Sequence, residues 1–179
     1  MDVAVVALGK IGLPLAVQIA GKGHRVHGAD ISADVVGMVR AGTPPFPGET
    51  DLATRLADVV ADGSLTATTD TAKAVEVSQA VIVVVPLVVD DKGIPDFTAI
   101  DGATDDIAAG LTSGTLVSFE TTIPLGTTRT RFAPALQQGS RLVVGDDIFV
   151  CHSPERVNSG RIFADLARYP KIVGAVDAA

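Results

Sequence analysis

Gly9 and Gly12 stand in Ala7-Leu8-Gly9-Lys10-Ile11-Gly12, between the valine-rich run Asp2 to Leu8 and a segment with apolar residues at Ile11, Leu15 and Ile19. A residue without a Cβ at Gly9 lets an anionic group come close to the backbone. At Gly12 it lets a helix sit close to the strand before it. The N–H groups at the start of that helix, with the helix dipole, then hold the anion. This is the G-x-G-x-x-G pattern that cradles a dinucleotide pyrophosphate, with Ala7 at the first glycine position. Asp30 ends the next apolar run, about 20 residues further on as the pattern requires. A carboxylate there accepts hydrogen bonds from an adenosine ribose diol and repels a 2′-phosphate, so NAD is expected rather than NADP. The expected cofactor contacts are Gly9, Lys10, Ile11, Gly12 and Asp30. Each has a plainer reading: Lys10 as a solvated surface lysine, Asp30 as a helix N-cap, although Ser32 serves that purpose equally well. The methyl of Ala7 either shifts the loop slightly or is harmless there if the local φ is negative.

The elements that must position this loop follow from the spacing of apolar residues. Asp2 to Leu8 reads as a strand buried on both faces and Ile11 to Lys22 as a helix that tolerates Pro14 in its first turn. Arg25 to Ala29 is a second strand and Ser32 to Ala41 a helix closed by Gly42. The Pro/Gly-rich loop Thr43 to Glu49 precedes a helix over Asp51 to Ala61. Strands are expected at Leu65 to Thr68, Ala80 to Val85, Thr115 to Phe119 and Ile148 to Cys151, with a marginal one at Lys171 to Gly174. Helices are expected at Thr98 to Leu111 and Thr127 to Leu136. Strands alternating with helices imply a doubly wound, Rossmann-type α/β fold: a parallel sheet between two helical layers. The 179 residues are expected to form one domain, 1–179.

Composition narrows the classes. The net charge of −7 argues against a nucleic-acid or anionic-membrane surface. No apolar run approaches the roughly 18–20 residues of a membrane span, and Met1-Asp2 leads into a strand without a basic leader. One cysteine forms no internal disulfide, so a cytoplasmic location is expected. His24, His27 and Cys151 lack metal-ligand spacing, and no metal site is expected.

Three later stretches go beyond a dinucleotide fold: Val84-Val85-Pro86-Leu87 with Gly93-Ile94-Pro95-Asp96; Glu120-Thr121-Thr122-Ile123-Pro124-Leu125-Gly126-Thr127-Thr128; and Ser153-Pro154-Glu155-Arg156-Val157-Asn158-Ser159-Gly160. In this order, after the glycine loop and Asp30, they resemble the N-terminal domain of the UDP-glucose/GDP-mannose dehydrogenase family. That family oxidises the C6 alcohol of a nucleotide sugar to a carboxylate with NAD. The Ser-Pro-Glu-Arg form resembles the UDP-N-acetylmannosamine dehydrogenase branch. The resemblance implies that Val85 and Pro86 line the cofactor crevice and that Thr122 lies near the nicotinamide, positioning a catalytic water. It implies that Glu155 assists proton transfer or water activation. Thr122 as a helix cap and Glu155 as a surface carboxylate are the plain alternatives. Arg156 is open between a substrate phosphate and an acid of the domain.

Departures from the family pattern are Ala7, Lys10, Val35, Leu87 and Leu125. The family's nucleophile is a cysteine in a motif of its later half, where it carries covalent intermediates between two hydride transfers. Cys151, in Phe149-Val150-Cys151-His152, lacks that context and reads as a core residue. The chain is therefore expected to be the NAD-binding part of a longer, homodimeric enzyme acting on a UDP-sugar, able to bind NAD without turnover. A dehydrogenase of the β-hydroxyacid type and a non-enzymatic NAD-sensing module are the competing expectations.

Overall fold

The structure is a computed structural model and describes residues 1–176. Its elements are β1 (Asp2–Val6), α1 (Gly12–Ala20), β2 (Arg25–Ala29), α2 (Ala33–Arg40), α3 (Leu52–Ala61), β3 (Leu65–Thr68), α4 (Thr71–Glu76) and β4 (Ala80–Val83). These are followed by β5 (Val88–Val89), β6 (Pro95–Asp96), α5 (Thr98–Gly110), β7 (Leu116–Phe119), α6 (Ala133–Ser140), β8 (Phe149–His152), α7 (Ile162–Arg168) and β9 (Gly174–Ala175). The main sheet has the order β3-β2-β1-β4-β7-β8-β9, parallel except for β9, which runs antiparallel to β8. The order reverses between β1 and β4, so the loops after these two strands flank a crevice at the carboxyl edge, where doubly wound sheets bind ligands.

The parallel strands carry apolar residues on both faces. Val3, Val5 and Val26 pack with Leu13 and Val17 of α1, Val36 and Val39 of α2, Leu56 of α3 and Phe163 of α7. On the other face Val6, Val83, Val117, Phe119 and Val150 pack with Val75 of α4, Ile100 and Ile107 of α5 and Leu136 of α6. Phe119 stacks on Phe132 with ring centroids 4.5 Å apart, closing this second core below the site.

Several expected boundaries shift, each for a local reason. β1 ends at Val6 because Ala7 takes a left-handed conformation, and β4 stops at Val83 where the chain leaves for the β5–β6 hairpin. The helix expected at Thr127 to Leu136 is a π-helical turn, Thr128–Phe132, followed by α6, which continues to Ser140. Pro134, at the start of α6, has no N–H to continue an unbroken α-helical ladder. The strand expected at Lys171 to Gly174 lies instead at Gly174–Ala175, leaving Lys171 free of the ladder. α4, α7 and the β5–β6 hairpin are short elements that apolar spacing did not mark.

Candidate cofactor and active site

The glycine loop is held open by Asp30. Ala7 N–H donates to the Ala29 carbonyl at 2.8 Å, and the chain then turns so that Leu8 N–H donates to Asp30 Oδ2 at 2.8 Å. Asp30 Oδ1 accepts from Ser32 N–H at 2.9 Å. Ser32, not Asp30, caps α2, its Oγ accepting from Val35 N–H at 3.3 Å. Each Asp30 oxygen keeps a lone pair, enough for a vicinal diol. The condition under which the Ala7 methyl is harmless is not met: φ is 76°, a region that L side chains enter at a cost.

Gly9 and Gly12 differ in what they permit. A Cβ built on Gly12 would stand 1.9 Å from the Ala7 carbonyl oxygen and 2.9 Å from Val84 Cγ2, so this glycine serves close packing of helix on strand. A Cβ on Gly9 meets nothing within 4 Å, so the space beside it is open to a ligand. Among the described residues the amides of Lys10, Ile11 and Gly12 have no acceptor, and they stand at the positive end of α1. Lys10 is exposed, makes no ion pair among the described residues, and borders a cavity of about 190 Å³ with Phe46, Glu49 and Gly160. Free amides, room at Gly9 and a diol acceptor at Asp30 fit the pyrophosphate and adenosine ribose of a dinucleotide.

The crevice continues across the ends of β4, β7 and β8. Val85 is buried and Pro86 exposed. The Thr121 hydroxyl donates to the Val85 carbonyl at 2.6 Å, tying the two strand-end loops together. Thr122, next in the chain, is exposed and caps no helix, since the π-helical turn begins after Thr127 without a side-chain cap.

Glu155 is not a loose surface carboxylate; its side chain is 12% exposed. Its N–H donates to the Glu120 carbonyl at 3.0 Å, Arg156 N–H donates to its Oε1 at 2.7 Å, and Lys171 Nζ lies 2.9 Å from its Oε2. Lys171 Nζ also lies 2.5 Å from Oε2 of Glu120, which is buried. Burial pushes the Glu120 carboxyl above its ordinary range, with Lys171 opposing and Glu155 adding to the rise. Burial pulls the Lys171 ammonium down, but the two carboxylates outweigh it and its pKa is raised. Arg156 pairs with no acid among the described residues; its guanidinium donates to the Pro170 carbonyl at 3.1 Å.

The loop carrying Glu155 is fastened beyond that cluster too. Asp165 Oδ2 accepts from Asn158 N–H at 3.0 Å, a bond that holds its carboxyl below the ordinary range. Glu49 accepts from Gly160 N–H at 2.6 Å and from Ile162 N–H at 2.7 Å, so the Pro/Gly-rich loop grips the segment after Glu155. Glu120, Lys171, Glu49 and Asp165 were not singled out by sequence. Glu120 was visible only as the first residue of the Glu120 to Thr128 stretch, Glu49 as the last of the Pro/Gly-rich loop and Lys171 as the first of the marginal strand. Cys151 is buried, and His152 Nε2 is engaged with the Thr121 carbonyl at 3.1 Å, so the two form no dyad. Among the described residues no helix is long and apolar enough to cross a membrane, and no group of three His, Cys, Asp or Glu residues is placed to hold a metal.

With this geometry in hand, comparison with known proteins is informative. UDP-N-acetyl-D-mannosamine dehydrogenase of Pyrococcus horikoshii is 37% identical over 178 residues, which is 98% of this chain and 41% of that protein. The solved structure of the UDP-D-ManNAc dehydrogenase from Pyrococcus horikoshii superposes with a TM-score of 0.92 at 35% identity, covering 98% of this chain and 41% of that one. A ternary complex of GDP-mannose dehydrogenase from Pseudomonas aeruginosa superposes with a TM-score of 0.94 at 25% identity, covering 99% of this chain and 41% of that one. The chain thus spans about 41% of the length of these relatives. Residues 1–179 match the UDP-glucose/GDP-mannose dehydrogenase family, NAD binding domain. The chain belongs to that family, as its NAD-binding domain.

Proposed function

We propose that this chain is the cofactor-binding part of a nucleotide-sugar 6-dehydrogenase that oxidises the C6 alcohol of a UDP-sugar, UDP-N-acetylmannosamine, to the uronate with two NAD. The observation that carries this reading is the shared carboxyl edge. The Gly9–Gly12 cradle with Asp30 stands at one end, and Glu155 and Thr122 stand at the ends of β8 and β7, roughly 14 Å across three strand spacings. The names of the relatives supply the sugar.

NAD, when bound, supplies the hydride acceptor. The chain's own residues do the rest. Amides of Lys10, Ile11 and Gly12 take the pyrophosphate and Asp30 takes the ribose diol; Lys10 stands at the entrance, and Val85 and Pro86 wall the crevice. The Glu155 carboxyl, partly buried, accepts the proton of the substrate alcohol as hydride leaves. The Thr122 hydroxyl orients a water at the same edge. The domain is soluble in the cytoplasm, and the complete protein acts as a homodimer.

The test is turnover of UDP-N-acetylmannosamine by the complete protein, with NADH counted per sugar consumed. Two NADH per sugar, with a fall of about 10²–10⁴-fold in kcat for Glu155→Gln, supports the reading. NAD binding without oxidation of any UDP-sugar by the complete protein would leave an NAD-sensing module instead.

A further inference from the structure

Lys171 lies on neither a strand nor a helix, yet its position is defined from both sides. On its N-terminal side the Pro170 carbonyl accepts from Arg156. On its C-terminal side β9 pairs with β8, and Val176 N–H donates to the Val150 carbonyl at 3.0 Å. Between these anchors the side chain reaches two carboxylates from neighbouring strand ends, 2.5 Å from Glu120 and 2.9 Å from Glu155. The two acids are locked side by side by the bond from Glu155 N–H to the Glu120 carbonyl. Two carboxylates this close do not both stay ionised without a cation between them.

We propose that Lys171 is a positioning residue for the Glu155 carboxylate, and that buried Glu120 is the anchor that keeps Lys171 in place. This rests on the reading of Glu155 as the proton acceptor and adds the groups that fix its orientation and charge. Glu155 meets Arg156 N–H through Oε1 and Lys171 through Oε2, so both oxygens are fixed from the protein side. Glu120 is suited to be an anchor rather than a second base. Its side chain is 5% exposed, and among the described residues its other oxygen meets the Ser118 hydroxyl alone, at 3.5 Å. Without Lys171 its charge would be buried and uncompensated.

The remaining charged and titratable groups around the cluster are engaged elsewhere. Arg156 is on the Pro170 carbonyl, Asp165 is held by Asn158 and Arg161, Arg161 also meets the Tyr169 hydroxyl, and His152 is on the Thr121 carbonyl. Among the described residues the single positive charge between the two acids is therefore that of Lys171.

Nuclear magnetic resonance on the full 179-residue chain tests this through two reporters. The Arg156 amide proton reads the Glu155 carboxylate that it bonds, and the Glu120 side-chain carboxyl carbon reads the anchor. In Lys171→Met the Arg156 amide proton should move upfield, and the Glu120 titration midpoint should rise by about one pH unit or more. Lys171→Arg should restore both, because it returns the cation without returning the same shape. Should Lys171→Met fail to fold, Glu120→Gln is read instead and should move the Arg156 amide proton in the same direction by less. An unchanged Arg156 amide in a folded Lys171→Met or Glu120→Gln chain overturns the proposal, as does failure of folded Lys171→Arg to restore the signals. Titration of the wild-type chain with NAD reports separately. If these shifts appear but NAD does not bind, the functional reading falls and the positioning pair stands. If NAD binds but the shifts are absent, only the pair falls.

Discussion

The two ends of the carboxyl edge are built by different means. At the β1–β2 end the proposed cofactor cradle is built from backbone: three amides unpartnered among the described residues, two glycines and one carboxylate that also folds the loop. At the β7–β8 end the candidate site is built from side-chain charge: Glu120, Glu155 and Lys171, brought together from positions up to 51 residues apart. The first end tolerates almost no change of shape, whereas the second depends on a balance of charge within a fixed frame. Substitutions at the first should therefore show as lost stability or cofactor affinity, and at the second as altered pH dependence.

The largest effect is expected at Gly12. Its Cβ would stand 1.9 Å from the Ala7 carbonyl oxygen, and both neighbours of the clash are backbone or core. Gly12→Ala should destabilise the chain by about 3 kcal/mol, a fall in melting temperature of roughly 6–12 °C by calorimetry. A melting temperature equal to wild type would show that the strand-to-helix turn is not tight. Ala7→Gly should act in the opposite direction at the same turn. Removing a Cβ from φ 76° should stabilise by about 1 kcal/mol, roughly 2–4 °C, with the loop geometry preserved for ligand. A loss of stability there would mean that the methyl's packing outweighs the conformational strain.

At the charged end the effect is smaller and appears only as a slope. The Glu120 carboxyl is raised above 4.5 by burial, so the folded state holds its proton more tightly than the unfolded chain. The folded state is thus relatively favoured at low pH and loses that advantage as pH rises from about 4.5 through the raised value. The melting-temperature difference, Glu120→Gln minus wild type, should become more positive with rising pH across that window. A flat difference would remove the assigned burial cost.

The same division governs what was legible in the sequence. The parallel fold, the glycine loop and Asp30 are written in contiguous residues: a valine run, two glycines at fixed spacing and an acid at the next strand end. The short elements were not, because Thr71–Glu76 and Ile162–Arg168 span too few turns to show a period, and the hairpin at Val88–Val89 and Pro95–Asp96 is largely exposed. The left-handed Ala7 breaks the preference of its residue type, and the turn is held by the Leu8–Asp30 bond and the close packing at Gly12. Thr122 and Glu155 were singled out through resemblance. Lys171 and Glu120 were not, since an ion pair between residues 51 apart leaves no periodic trace. The salt bridges at the far end are a product of tertiary structure, and the cradle at the near end is a product of local sequence.

The central claim is that the near end binds NAD through Asp30 and the amides of the glycine loop. Calorimetric titration of the full chain with NAD and NADP, in wild type and Asp30→Ala, addresses it most directly. Expected are one NAD site, weaker binding of NADP, and a loss of about 10–100-fold in NAD affinity in the variant, the range for hydrogen bonds to a charged group. No binding of NAD by the folded wild-type chain, or equal NAD affinity with and without the Asp30 carboxylate, would contradict it.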